Sequence, residues 1–297
     1  MVAGQPINTV PPLIAIVGQT ATGKSGLALA LAEHFGGEIV CADSRTIYKG
    51  MDIGTAKPTQ DERSRIPHHC LDLVSPGERF TAADFKQHAE QAITNITGRG
   101  KVPILVGGTG LYIDAVLYDY TFQGPADVVL RAELMALSIP ELQERLIRET
   151  IPLPSNPQNP RHLIRALETK GVAPPRHEIR SNSLILGVQL DREELLPQVV
   201  NRITSMMRDG LQQEVQHLAK RYGFAVSQMQ TIGYQEWREN FNGVQTLQHT
   251  KQLIINNTMA YAKRQKTWFK RNNSVHWLSY RDRLTQSVDL TTTFLSK

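Results

Sequence analysis

The sequence has few of the features that mark secreted or membrane-embedded proteins. It contains only two cysteines, Cys41 and Cys70, which are too few for a disulfide framework and do not form a CxxC pair. It has no apolar run long enough to cross a bilayer. Its first residues lack the charged start and long apolar core of a secretory signal. We therefore expect a cytoplasmic protein that is not bound to a membrane.

Acidic residues are absent from one long stretch, between Asn240 and Arg281. Five basic residues lie close together in this stretch, around Trp268 and Phe269: Lys263, Arg264, Lys266, Lys270 and Arg271. The whole chain carries a net charge of +5. Clustered positive charge around aromatic residues is typical of a nucleic-acid surface, but a solvated helix face gives the same pattern. Charge alone leaves both interpretations open.

Short apolar runs alternate with helical patterns in the N-terminal part, residues 1–122. The runs 13–17, 38–42 and 102–108 predict three buried strands, and the segment 24–35 predicts a helix after the first of them. Continuous apolar strands separated by helices indicate an α/β fold, in which helices cover both faces of a parallel sheet. We expect these residues to form the core domain.

The strand pattern stops after this region. Helix-like segments and proline-rich turns between 123 and 180 predict a small helical insertion. A strand at 183–191 is predicted to return to the sheet. The rest of the C-terminal part, 181–297, is predicted to be mainly helical.

A glycine-rich motif separates the first predicted strand from the first predicted helix. Residues 18–25, GQTATGKS, match the P-loop pattern GxxxxGK[ST] in the strand–loop–helix context that the motif requires. The N–H groups of such a loop and the start of its helix bind anions. Lys24 would contact the terminal phosphates, and Ser25 would ligate Mg²⁺. The motif thus predicts a site for a di- or triphosphate.

A feature of typical P-loop nucleotide hydrolases is missing. Their Mg²⁺-binding Asp ends an apolar strand, whereas the apolar run VPILV is followed by Gly107, Gly108 and Thr109. Asp43 does end a predicted strand. Because ligands bind at the carboxyl ends of strands in open α/β sheets, Asp43, Thr109 and the P-loop should converge. Asp43 could be a base, a metal ligand or a turn residue, and Thr109 taken alone fits a helix N-cap.

Several segments together resemble the tRNA dimethylallyltransferase family. After the P-loop, seven segments are similar to family blocks in the family's order: EIVCADSRTIYKGMDIGTAKP, IPHHCLDLVSPGERFTAADF, VPILVGGTGLY, RHLIRALE, GLQQEV, TIGYQE and AKRQKTWF. The resemblance covers about residues 13–270. It implies a P-loop NTPase-like core with a helical insertion. It also implies transfer of a dimethylallyl group from dimethylallyl diphosphate to the N6 amine of the adenosine 3′-adjacent to the anticodon in tRNA, by a monomeric enzyme.

The resemblance also implies roles for individual residues. Asp43 would take a proton from the adenine amine, Thr109 would lie beside the reacting centre, and Lys24 would assist catalysis. The donor diphosphate would be held, with Mg²⁺ at Ser25, by Gly18, Thr20, Ala21, Thr22, Gly23, Lys24 and Ser25. The anticodon stem-loop of tRNA would contact Asp43, Ser44, Arg45, Thr46, Thr109, Arg131, Arg161, His162, Leu163, Ile164 and Arg165.

The chain departs from the family pattern at four positions. Gln19 replaces a usual proline, Thr46 replaces a usual glutamine, and His162 and Met259 stand where arginine is common. Thr46 has a single hydroxyl and cannot make a two-point pairing with adenine. These departures concern the expected tRNA contacts. Two other functions stay open, an isopentenyltransferase acting on free adenine nucleotides and a small-molecule P-loop kinase.

Two groups of residues are better explained by structure than by chemistry. His68, His69 and Cys70 are adjacent and lack further ligands at metal-binding spacing, so we expect no metal there. The tryptophans are expected to pack in the interior. Trp268 is the one whose basic neighbours also suit a nucleic-acid surface.

Overall fold

A computed structural model describes residues 10–122, 127–172 and 177–297. The segment 1–9, to which the expectation about a secretory signal refers, and the first residues of the predicted insertion lie outside the described residues. The chain divides into two compact units: one of Met1–Leu117 and Ile179–Lys297, and one of Tyr118–Glu178.

A parallel sheet forms the centre of the first unit. Its described strands are β1 Leu13–Gly18, β2 Gly37–Cys41, β3 His68–His69, β4 Val102–Gly107, β5 Ser183–Val188 and β6 Val275–Leu278. Their order is β3-β2-β4-β1-β5-β6, and every pair is parallel. The P-loop strand β1 is therefore central, with β4 and β5 on its two sides. The four strands predicted from apolar runs are confirmed, and the two edge strands were not predicted.

Helices make up most of the remaining described structure in both units. In the first unit they are α1 Lys24–Phe35, α2 Gln60–Arg65, α3 Ala82–Gly98, α4 Gly110–Leu117, α8 Arg192–Arg208, α9 Leu211–Tyr222, α10 Arg238–Phe241, α11 Leu247–Phe269 and α12 Arg283–Leu295. In the second they are α5 Val128–Met135, α6 Ile139–Arg148 and α7 Pro160–Glu168. Short 3₁₀ helices span Ser227–Gln230 and Gln235–Trp237. The parallel sheet with flanking helices confirms the predicted α/β fold class.

Local sequence signals explain where the helices begin. The predicted α1 is confirmed at both ends, with Gly36 in the left-handed conformation at its C-cap. Thr81 caps α3: its hydroxyl accepts the N–H of Asp84, and the Asp84 carboxylate accepts the N–H of Thr81. This reciprocal arrangement satisfies two backbone donors that a helix start leaves open.

Two clusters of buried apolar residues lie in the first unit. One joins the sheet to α1, with Ile14, Ile16, Leu31 and Ile104 fully buried. The other packs α8, α9 and α11 around Trp237, which is fully buried. The second unit has its own core of leucine and isoleucine side chains. Within the described ranges, no helix is long and apolar enough to span a membrane.

Candidate active site

A cavity of about 1090 Å³ opens at the carboxyl ends of the central strands of the first unit. Its lining includes the P-loop residues Thr20, Ala21, Gly23, Lys24 and Ser25, and also Asp43, Thr46, Gly107, Gly108, Arg202, Tyr261 and Gln265. This volume is at the upper end of the range for small-molecule sites, which is roughly 300–1000 Å³. The structure thus brings the P-loop and Asp43 to one cavity that is large enough for a diphosphate ester and a nucleobase.

The P-loop has the backbone shape of an anion-binding loop. Gly18 has a φ of 137°, and a Cβ there would lie 1.9 Å from the carbonyl oxygen of Val188, so glycine is required. Gly23 and Ala21 also have positive φ, of 82° and 62°. For Ala21 this conformation is strained, and such strain is typical of ligand-binding loops. Thr22 is fully buried and donates its hydroxyl to the carbonyl of Gln19 at 2.8 Å, which closes the loop.

The charged side chains that line the cavity include Lys24, Arg202 and Asp43. Burial lowers the pKa of Lys24 to about 7, the charge of Arg202 contributes to this shift, and Asp43 opposes it. Burial also lowers the pKa of Arg202, against the effect of Asp43. Both shifts show cations that lack full hydration and would be stabilised by an anion. Arg202, on α8, was not among the residues predicted from the sequence.

The loop after β2 presents Asp43 to the cavity. One carboxylate oxygen of Asp43 accepts the N–H of Arg45 at 2.8 Å, as in the turn that was the structural alternative. The hydroxyl of Thr109 accepts the N–H of Ser44 at 3.0 Å. The carbonyl of Thr109 accepts the N–H of Tyr112 at 2.9 Å and so also begins α4. Thr109 therefore holds the Asp43 loop against the end of β4 in addition to preceding a helix.

Two further residues of the cavity come from α11 and were also missed. Tyr261 lies near Thr109, and burial raises the pKa of its hydroxyl to about 12, an effect to which Asp43 contributes. Gln265 is buried and contacts the backbone of Thr20 and of Gly108. Cys41 lines the cavity as well, but burial raises the pKa of its thiol, so it is not suited to act as a thiolate nucleophile.

The carboxylate of Glu214 holds the chain segment that follows Met51, and this segment forms part of the cavity wall. Glu214 accepts three consecutive backbone N–H groups, those of Asp52 at 3.0 Å, Ile53 at 2.7 Å and Gly54 at 3.0 Å. It also accepts the hydroxyl of Tyr234 at 2.7 Å. A Cβ at Gly54 would lie 2.6 Å from the Tyr234 ring. The segments MDIGTAKP, GLQQEV and TIGYQE, distant in sequence, therefore meet at one carboxylate.

Three other sequence features have a structural explanation. Gln19 is buried, and its side-chain oxygen accepts the N–H of Leu190 at 2.9 Å, which ties the P-loop to the chain after β5. His69 lies 2.7 Å from the Glu38 carboxylate. Among the residues that the structure describes, no group of three His, Cys, Asp or Glu side chains could hold a metal ion. Thr46 is buried beside Asp43.

The predicted tRNA contacts of the second unit differ in exposure. Arg131 and Arg165 form ion pairs with the buried carboxylate of Glu168, at 3.0 and 3.3 Å. Leu163 and Ile164 are buried in the core of this unit. Their side chains are thus packing residues, and the exposed residues at the start of α7 are Arg161 and His162. The role of these residues in binding tRNA stays a prediction.

The outer face of α11 carries positive charge. Lys263, Arg264 and Lys270 are exposed, and Lys266 pairs with Asp191 at 2.9 Å. The Trp268 side chain packs against Gly110 and donates its ring N–H to Asp114 at 3.0 Å. The guanidinium of Arg271 lies 4.1 Å from the centre of the Trp268 ring. Trp268 therefore has a packing role and also borders the basic surface.

Comparisons with known proteins identify the family of this chain. A sequence model of the IPP transferase family matches residues 46–272. The tRNA dimethylallyltransferase of Staphylococcus epidermidis is 38% identical over 97% of this chain and 93% of its own length. That of Bacillus subtilis is 36% identical over 95% of this chain and 94% of its own.

Solved structures give the same result. The crystal structure of the full-length tRNA isopentenylpyrophosphate transferase from Bacillus halodurans superposes with a TM-score of 0.74 at 34% identity, over 97% of each chain. A eukaryotic dimethylallyltransferase acting on tRNA shares the fold, with a TM-score of 0.81 at 24% identity over 97% of this chain and 80% of that one. Because the family match covers most of the sequence and the relatives align over nearly their whole length, this chain belongs to the IPP transferase family.

Proposed function

We propose that this chain transfers a dimethylallyl group from dimethylallyl diphosphate to the N6 amine of the adenosine 3′-adjacent to the anticodon in tRNA, releasing diphosphate. The observation that carries the proposal is the single cavity that Lys24 of the P-loop, Arg202 of α8 and Asp43 all line. Family membership supports the same reaction. The new bond joins the allylic carbon to N6, the carbon–oxygen bond to diphosphate breaks, and the amine proton goes to a base.

The P-loop and its neighbours bind the donor through the diphosphate. Lys24 and Arg202 are partly buried cations that line the cavity, and the N terminus of α1 adds a partial positive charge. Negative charge develops on the diphosphate as the bond between its oxygen and the allylic carbon breaks. Fixed cations and N–H groups that face this charge stabilise the transition state more than the ground state.

A magnesium ion fits the donor side of the cavity. Ser25 lies at the start of α1 and its hydroxyl is an oxygen ligand of the kind that Mg²⁺ prefers. Mg²⁺ commonly uses one or two protein oxygens together with substrate phosphates. When bound, the ion would neutralise part of the diphosphate charge. Ser25 is the residue that would hold it.

Asp43 serves as the base on the acceptor side. The exocyclic amine of adenine is a weak nucleophile because its lone pair is delocalised into the ring, so removal of its proton assists attack. The N–H of Arg45 orients the Asp43 carboxylate, and Thr109 holds the loop in place. An adenine must leave the anticodon stack to reach this position, as in other enzymes that modify bases.

The acceptor is best assigned as tRNA because of the basic surface of α11. A free adenine nucleotide would fill the cavity without contacting the exposed Lys263, Arg264 and Lys270. Phosphate contacts from such residues position an RNA, while the extruded base enters the site. A kinase acting on a small substrate would likewise leave this surface without a role.

The proposal is tested by transfer of labelled dimethylallyl diphosphate, with Mg²⁺, to unmodified tRNA, AMP and ATP in parallel. Label in tRNA alone, lost in an Asp43→Asn variant, is the expected result. Label in AMP or ATP but not in tRNA would overturn the assignment of the acceptor. Phosphate transfer from ATP without any prenyl transfer would overturn the reaction itself.

A further inference from the structure

Helix α11 reaches the cavity floor through one buried amide. The side chain of Gln265 is only 4% exposed. Its Oε1 accepts the N–H of Thr20 in the P-loop at 2.7 Å. Its Nε2 donates to the carbonyl oxygen of Gly108, after β4, at 2.9 Å. Gln265 therefore bridges the loops that follow the neighbouring strands β1 and β4.

The chemistry of this bridge requires an amide of this length. The Thr20 N–H needs an acceptor and the Gly108 carbonyl needs a donor, and a glutamine side chain offers one of each. Glutamate has the same shape but, when ionised, offers only acceptors, and methionine has similar length without a strong hydrogen-bonding group. The backbone at Gly108 also comes close, since a Cβ there would lie 2.1 Å from the Gln265 Nε2.

One of the two bridged loops belongs to the proposed donor site, and the other belongs to the proposed acceptor site. Thr20 begins the part of the P-loop that faces the cavity, which is the donor side. Gly108 precedes Thr109, whose hydroxyl holds the N–H of Ser44 next to Asp43, on the acceptor side. The chain of contacts runs from the donor loop through Gln265 to the loop of the base. This amide thus adds a direct link between the donor loop and the loop of the base, beyond the pairing of β4 with β1 and β2.

We infer that Gln265 is a positioning residue, which fixes the diphosphate loop relative to the Asp43 loop. This inference rests on the proposed function for its effect on catalysis. Group transfer between two bound substrates requires close alignment, and a displacement of about 1 Å can cost roughly 100-fold in rate. Loss of the bridge should therefore lower kcat, while the tRNA-binding face of the same helix is unchanged.

The test compares Gln265→Met and Gln265→Glu with a control, Gln252→Met, at an exposed position of the same helix. For Gln265→Met we expect kcat for transfer to tRNA to fall by about 10- to 100-fold. The dissociation constant for tRNA should change less than about twofold because the exposed residues are untouched. The control should keep wild-type values for both. A Gln265→Met variant with wild-type kcat would overturn the inference.

Gln265→Glu gives a readout that a merely structural role would not produce. A protonated carboxyl group restores one acceptor and one donor, and burial raises the pKa of a carboxyl, so the pair of hydrogen bonds can form at mildly acidic pH. The ratio of variant to wild-type kcat should rise as pH is lowered from about 8 to about 5.5, across the raised pKa range. A ratio that is independent of pH would contradict the bridge.

Hydrogen exchange separates this inference from the proposed function. Exchange at the Thr20 amide should be faster in Gln265→Met than in wild type, whatever the substrate, because its acceptor is lost. Unchanged exchange would overturn the coupling of the loops even if prenyl transfer occurs. If exchange at Thr20 is faster in Gln265→Met but the wild-type protein transfers no label to any acceptor, the coupling is upheld and the proposed function is rejected.

Discussion

The carboxylate of Glu214 gives the sharpest test of how the cavity wall is built. One of its oxygens accepts the N–H groups of Asp52 and Ile53, and the other accepts the N–H of Gly54 and the hydroxyl of Tyr234. In Glu214→Gln one oxygen remains, and the new NH₂ group faces two donors. Hydrogen bonds to a charged group are worth about 1.5–3 kcal/mol each, and the site is partly solvated. We expect a loss of about 3 kcal/mol in the free energy of unfolding.

This loss is measurable by thermal unfolding. For a domain of this size class, 1 kcal/mol corresponds to about 2 °C, so the Tm should fall by roughly 6 °C. Glu90→Gln, the same substitution at an exposed position of α3, is the matched control and should change the Tm by less than about 1 °C. Prenyl transfer to tRNA should also fall in Glu214→Gln, since Asp52, Ile53 and residues 55–58 line the cavity.

A second variant isolates one of the four hydrogen bonds. Tyr234 is fully buried, and Tyr234→Phe removes only its hydroxyl, which should cost about 1–2 kcal/mol. Because that hydroxyl binds Glu214, the double variant should lose less stability than the sum of the two single variants. Strict additivity, or a Glu214→Gln protein as stable and active as the Glu90→Gln control, would refute this account of the wall.

Three further predictions concern the chemistry and the RNA surface. Asp43→Asn keeps the shape of the side chain but not its basicity. It should reduce transfer by at least about 100-fold while calorimetry shows nearly unchanged binding of dimethylallyl diphosphate, and near-normal turnover would remove Asp43 as the base. Lys24 has a pKa of about 7 that a bound diphosphate should raise, so donor affinity should weaken as pH increases from 7 to 9. Lys24→Arg stays charged over this range and should show a flatter profile, and equal profiles would argue against the titration of Lys24. Reversing the charge of Lys263, Arg264 and Lys270 to Glu should weaken tRNA binding and flatten its dependence on salt. Reversal of Glu144 to Lys is the control, and unchanged tRNA affinity in the triple variant would place the RNA elsewhere.

The strands that the sequence predicts are those buried on both faces. All residues of β1 and β2 are buried, so their apolar runs are continuous and recognisable. The edge strand β3 consists of two half-buried histidines. In the other edge strand, β6, only Val275 and Leu278 are buried. An edge strand covers less apolar surface, and its sequence therefore carries a weaker pattern.

The residues of the site also differ in how well the sequence predicts them. Some belong to recognisable local motifs, and others reach the cavity only through the packing of distant helices. The P-loop is a contiguous motif, and Asp43 and Thr109 end apolar strands, so the parallel arrangement predicts that they meet. Arg202 comes from the middle of a helix, where only the packing of α8 decides which side chain faces the cavity. A signal did exist for Gln265: it lies between Ala262 and Phe269 on the buried stripe of α11, where a polar residue needs a partner.

The outer and inner faces of helix α11 have different proposed roles. Its exposed lysines and arginines form the proposed RNA surface. On the inner face, Gln265 contacts Thr20 and Gly108, and Tyr261 also contacts Gly108. Substitutions on the outer face should therefore change tRNA affinity and leave kcat near its wild-type value at saturating tRNA. Substitutions on the inner face should do the reverse. A variant of Lys263 that lowered kcat as strongly as Gln265→Met would mean that RNA binding is transmitted through the helix to the site. The two faces of α11 would then not act independently in tRNA binding and catalysis.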